Sequence, residues 1–155
     1  MDFVFNISKG RGVELYHRVK SSDPAGTALV VVALAQTGLA TDADLRIADT
    51  LSAILGGSSN EVTNVGYARK VLVAADLAAW APDDTNHRTD LDIPDQTWNS
   101  VATGDSWGKL LVCYRPTAGA ADADIVPVSG HDFVVSPDGT NVVAQIDATG
   151  FYRAA

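Results

Sequence analysis

The sequence predicts a mainly β protein, an antiparallel β-sandwich or barrel-like domain with one or two helices in its N-terminal third. Three observations lead there. From Gly66 to Ile146, short apolar stretches (GYARKVLV, RTDLDI, TWNSVA, GKLLVCY, HDFVV, TNVVAQI) are separated by Pro, Gly and Asp, the residues of tight turns. Within several of them apolar and polar side chains alternate, as on a sheet with one wet face. Apolar residues at helical spacing are confined to the segment 1–60.

Taken in order, Gly10 to Ser21 places Val13, Leu15, Tyr16 and Val19 on one side of a short amphipathic helix. Asp23-Pro24 ends it, because the residue before proline avoids the α region. Thr27 to Gln36 (TALVVVALAQ) is a continuous, valine-rich apolar run, which predicts a strand buried on both faces. Thr41 is a helix cap with Asp42 and Asp44 in the first turn. Leu45, Ala48, Leu51 and Leu55 then extend one helix to Gly56-Gly57. The stretch Gly57 to Asn60 reads as a loop inside one fold, so residues 1–155 form a single domain with a helix-containing part (1–60) and a β-rich part (61–155).

In RTDLDI, Thr89, Leu91 and Ile93 face one way while Asp90 and Asp92 face water. Pro94-Asp95 turns the chain and Trp98 anchors the next strand. Gly104-Asp105 turns it again before Leu110, Val112 and Tyr114, and 117–124 is a small, polar surface loop. Ser136-Pro137-Asp138-Gly139 predicts the turn of a hairpin running from Phe133 to Ile146, with Val134 opposite Val142, Ala144 and Ile146.

Composition narrows the function. With 46% hydrophobic residues the chain can build a core, which argues against disorder. Its net charge of -8, from 19 acidic and 11 basic residues, repels phosphate backbones, so no nucleic-acid partner is expected. The stretch Lys9, Arg11, His17, Arg18, Lys20 reads as a solvated helix face. Cys113 is the only cysteine, so no disulfide forms within the chain; it sits mid-strand as a small core residue. The N-terminus lacks the features of a secretion signal, and the longest apolar run, Ala28 to Ala35, is far short of the ~20 residues that span a bilayer. A soluble protein made in a cytoplasm, with no membrane partner, is the expectation.

No residue is assigned a catalytic, cofactor-binding or metal-binding role. His17, His87 and His131 are dispersed, and His131 and Asp132, as strand neighbours, face opposite ways. The acidic cluster Asp83, Asp84, Asp90, Asp92 and Asp95 lacks the calcium-loop pattern and reads as a wet loop and strand face; calcium at a contact between subunits is the sharper alternative. Gly10-Arg11-Gly12 is too short for a dinucleotide loop, and nucleophile-elbow and phosphate-loop spacings are missing. Paired carboxylates of a glycoside hydrolase stay open, because their spacing is spatial. Trp80, Trp98 and Trp107, with Tyr114 and Phe133, suit core packing first and the stacking of sugars or bases second.

The segments FNISKGRGVELYHRVKSSDPAGTALVVVAL, GYARKVL, DDTNHRTDLDIPDQTW, KLLVCYRP and HDFVVSPDGTNVVAQI together resemble small structural proteins of tailed bacteriophages, of the kind encoded near the capsid and head genes. The likeness runs from Phe5 to Arg153. DIPDQTW with DDTN before it is the distinctive part, whereas GYAR recurs in several phage structural families. The resemblance implies a virion component, a capsid decoration or minor head protein bound to the major capsid protein lattice, with no catalytic residues to carry over. Self-association, as a trimer for example, is expected because closed rings are the common solution. Met1 to Ile7 (MDFVFNI), apolar and without an obvious partner in the chain, is expected to be an arm toward a neighbouring subunit. Two other classes stand beside this one. A tail or fibre-associated protein would bind host glycan through exposed Trp80 and Trp107, and a cell-wall hydrolase would depend on Asp90 or Asp92.

Overall fold

The computed structural model describes residues 1–79 and 81–154. In chain order the elements are β1 (Phe3–Val4), a 3-10 turn (Asn6–Ser8), α1 (Gly12–Ser21), β2 (Ala28–Ala35), α2 (Asp42–Arg46) and α3 (Leu51–Leu55). There follow β3 (Lys70–Leu72), β4 (Thr89–Leu91), β5 (Gln96–Trp98), β6 (Trp107–Arg115), β7 (Val126–Val135), β8 (Val142–Ala144) and β9 (Tyr152–Ala154). The class is mainly β and antiparallel, as the sequence predicts.

Five strands form the main sheet in the order β1-β7-β6-β2-β3, and the pairs β4–β9 and β5–β8 form two short ribbons. β2 and β6 lie at its centre, with Val30 opposite Cys113 and Val31 opposite Val112. All eight residues of β2 are buried. This is why the run TALVVVALAQ shows no alternation: its odd and even residues both face protein. Leu29, Val31 and Ala33 join Leu110, Val112 and Tyr114 in a core shared with α1 and the ribbons. Val30, Val32 and Leu34 join Leu111 and Cys113 in a second core with Leu45 of α2 and Leu51 and Ile54 of α3. The sheet is therefore packed sandwich-like against ribbons on one face and covered by helices on the other, and its end strands β1 and β3 do not meet to close a barrel.

Three predicted elements change. The helix expected over 41–55 is two short ones. Thr41 caps the first by accepting the Asp44 N–H, and Thr50 starts the second by accepting the Ala53 N–H. Backbone bonds from Leu51 to Ile125 (2.9 Å) and from Ser52 to Asp122 (3.0 Å) hold the start of α3 against the loop before β7. The hairpin expected from Phe133 to Ile146 does not form: β7 pairs with β6 and β1, while β8 pairs with β5. Gly139 does take the positive φ (98°) that the turn needs, but the turn docks on Val101, through Gly139 N–H to Val101 O (2.8 Å) and Val101 N–H to Thr140 O (3.0 Å).

The N-terminal arm is likewise absent, because its partner lies within the chain. Phe3 and Phe5 are buried in the helix-side core, and β1 pairs with β7 with Phe3 opposite Gly130. A Cβ on Gly130 would lie 2.8 Å from the Phe3 ring, so glycine is what lets that ring seat.

Candidate functional site: a cleft beside the unpaired side of β7

β7 is ten residues long and β1 only two, so the outer side of β7 is covered over part of its length. β1 pairs with Gly130 and Ser129, Phe5 N–H reaches Val128 O (3.0 Å), and the Asp132 N–H is taken by Asp2 Oδ1 (2.9 Å). From Phe133 to Val135 the outer side has no strand partner among the described residues. Val134 there is 72% exposed.

Against the inner face of this stretch lies a cleft of about 200 Å³. Val31, Leu110 and Val112 of the main sheet form its floor. Phe133, Ala144, Ile146 and Phe151 stand around it, and Asp2, His131, Asp132 and Asp147 sit among its polar lining. Local bonds fix the walls. Ile146 N–H donates to Asp95 Oδ1 (2.8 Å), and Phe151 N–H donates to Leu91 O (2.9 Å). Gly150, at φ 81°, presses so closely on β4 that a Cβ would lie 2.1 Å from Leu91 O.

The polar groups of the cleft are mostly committed. Asp147 Oδ1 accepts the Thr149 N–H and hydroxyl, which holds its carboxyl below the usual carboxylate range. Asp132 is held low by Lys109, whose ammonium is buried against it (2.5 Å) and also reaches Asp42 (3.1 Å). Asp147 is therefore ionised at neutral pH, while the Asp132 charge is paired with Lys109 and the N-terminal ammonium on the helix-covered side of the sheet. Gln96, 4% exposed, also lines the cleft, and its Nε2 donates to Pro94 O.

At the rim, Ser129 Oγ and His131 Nε2 are 2.8 Å apart, and His131 Nδ1 is 3.3 Å from Asp2 Oδ2. The connectivity is that of a nucleophile, base and acid. Ser129 is only 1% exposed and does not line the cleft, so no substrate carbon reaches its hydroxyl in this arrangement. The chain of bonds satisfies a buried hydroxyl and ties β1 to β7. Sequence reasoning paired His131 with Asp132 and missed it, because Asp2 lies at the far end of the chain; the Ser129-x-His131 spacing, which puts both side chains on one strand face, was the available signal.

The other singled-out residues lie elsewhere. Cys113 is fully buried and burial pushes its thiol up to about 12, so it is a core residue. Trp98 and Trp107 are 2% and 0% exposed, stacked edge-to-face at 5.1 Å with their N–H groups on Ala68 O and Asn64 Oδ1. Trp107 therefore offers no surface to a glycan; Trp80 lies outside the described residues. Asp90 is held by Arg88 (2.9 Å) and Arg153 (2.6 Å), and Asp83 accepts the Asn86 N–H (3.1 Å). Among the described residues no three His, Cys, Asp or Glu side chains converge on a metal position. A further charged group, Arg69 bridging Glu61 and Asp122 at 2.6 Å each with Tyr67 on Glu61, joins two loops rather than lining the cleft. No known protein family, curated protein or solved structure matches this chain.

Proposed function

We propose that the chain is a non-enzymatic structural protein of a tailed-phage virion, which binds the assembled capsid surface and stabilises or decorates it. The observation that carries this reading is the cleft beside the unpaired stretch of β7. At about 200 Å³ it falls below the ~300–1,000 Å³ of sites that enclose a metabolite. It is of the size that receives one apolar side chain, since a cavity of about 150 Å³ is filled by benzene. A backbone edge next to a one-residue pocket is equipment for gripping another chain. The resemblance from Phe5 to Arg153 supplies the identity of that chain, the major capsid protein lattice. Repetition over a lattice makes a weak single contact sufficient, because linked contacts multiply. Self-association on the lattice follows the same logic of closed symmetry.

The test is the copy number of the protein on purified particles of the phage that encodes it. Copies on the order of hundreds support decoration of the capsid lattice. A handful places the protein at the tail or portal, and none removes the virion reading.

A further inference from the structure

The chemistry of the cleft specifies its occupant more narrowly, and this inference rests on the capsid-binding reading. We propose that the cleft takes a single Leu-sized or Phe-sized side chain from an extended, Lys- or Arg-bearing segment of the capsid protein, laid along β7 from Phe133 to Val135.

Four features of the cleft converge on that occupant. The floor is apolar, so the inserted group is apolar, and its burial contributes about 1.5–3 kcal/mol. The volume admits one such side chain and excludes a larger ligand. Two carboxylates without a Lys or Arg partner (Asp2, Asp147) line the cleft, and no Lys or Arg does so among the described residues, within a chain of net charge -8, so a segment with cations flanking its apolar residue is favoured over an acidic one. Among the described residues the outer side of β7 lacks a strand partner where it borders the cleft, so an extended segment gains backbone bonds there as well as the pocket.

The probe is a synthetic heptapeptide alternating Thr and Lys around one central Leu, titrated into the full-length protein while backbone amide shifts are read. Saturable shifts confined to residues 131–135 and 144–151 are expected, with affinity lost by about tenfold or more when the central Leu becomes Asp. Ile146→Trp, which fills the cleft from its partly buried wall, abolishes binding. Gln145→Lys, an exposed change at the rim, weakens it at low salt and not at high salt, with the melting temperature unchanged. The inference is overturned by any of three results: no shifts at millimolar peptide, equal binding by a Glu-for-Lys peptide, or equal binding by a peptide without Leu. Dissociation of a self-assembled oligomer by Ile146→Trp overturns it too, because the occupant is then a second copy of this chain. Failure here is distinct from failure of the virion reading. An Ile146→Trp protein that still decorates particles in full number refutes the cleft inference alone, whereas wild-type absence from particles refutes the function whatever the peptide does.

Discussion

The two faces of the five-stranded sheet are covered by different means. On one, α2 and α3 lay Leu45, Leu51 and Ile54 over Leu111 and Cys113, and all five side chains are buried. On the other, α1 covers part of the sheet and two ribbons of three-residue strands cover the rest, leaving the cleft over Leu110 and Val112. Three-residue strands supply few side chains per unit of sheet area, and Gly150 holds the ribbon-side loop at one distance from β4. The comparison teaches that the opening belongs to the thinner cover, and that binding is to be sought on the ribbon face.

Neighbouring residues of β6 test this most strongly, since Leu111 points into the helix-covered core and Leu110 into the cleft floor. Leu111→Ala is expected to cost about 3–5 kcal/mol and Leu110→Ala about 2–3 kcal/mol, because a side chain already bordering empty space leaves less new void. Urea unfolding measures both, and equal losses break the comparison. Next in size is Arg69→Met, which strands Glu61 and Asp122. Removing one partner of a buried pair costs about 3–5 kcal/mol, and partial solvent access lowers the expected loss here to about 2 kcal/mol.

Acid affects the faces unequally. Asp122, bonded by Arg69, and Asp132, bonded by Lys109, have folded-state pKa values below the ordinary 3.8, so their charged forms stabilise the fold. That contribution is fully present above about pH 4–5 and is lost as pH falls through the lowered values. Melting temperature should hold down to about pH 5 and fall below about pH 4, and Lys109→Met should flatten the fall. Asp92 runs the other way. Burial raises its pKa, with Asp95 and Asp147 nearby adding to the rise, so its charge opposes folding once pH climbs above the ordinary value. Asp92→Asn should raise the melting temperature slightly at neutral pH and leave it unchanged below about pH 3. The smallest expected effect is zero: a chelator should not move the melting temperature, since Arg88 and Arg153 already occupy Asp90.

What was legible in the sequence was what neighbours along the chain decide. β2 announced itself because burial on both faces writes an unbroken apolar run, and α1 because Leu15, Tyr16 and Val19 fall on one side. Trp98 and Cys113 took the core places expected of them. Choices between distant segments were not legible. Gly139 takes the positive φ that Ser136-Pro137-Asp138-Gly139 implies, yet nothing local says that β8 pairs with β5 rather than β7. Thr50 is a good cap, but its use depends on the Leu51 N–H meeting Ile125 O from across the chain. Met1 to Ile7 looked unpartnered because the glycine that receives Phe3 lies at position 130. The cleft is the extreme case, since it is a gap between elements and has no residue pattern of its own.

The most direct test is hydrogen exchange on the protein free and bound to purified particles. Binding through the ribbon face predicts that amides of 131–135 and 144–151 slow on particles while those of 42–55 exchange as in the free protein. Protection appearing on 42–55, with the β7 stretch unchanged, would contradict the account.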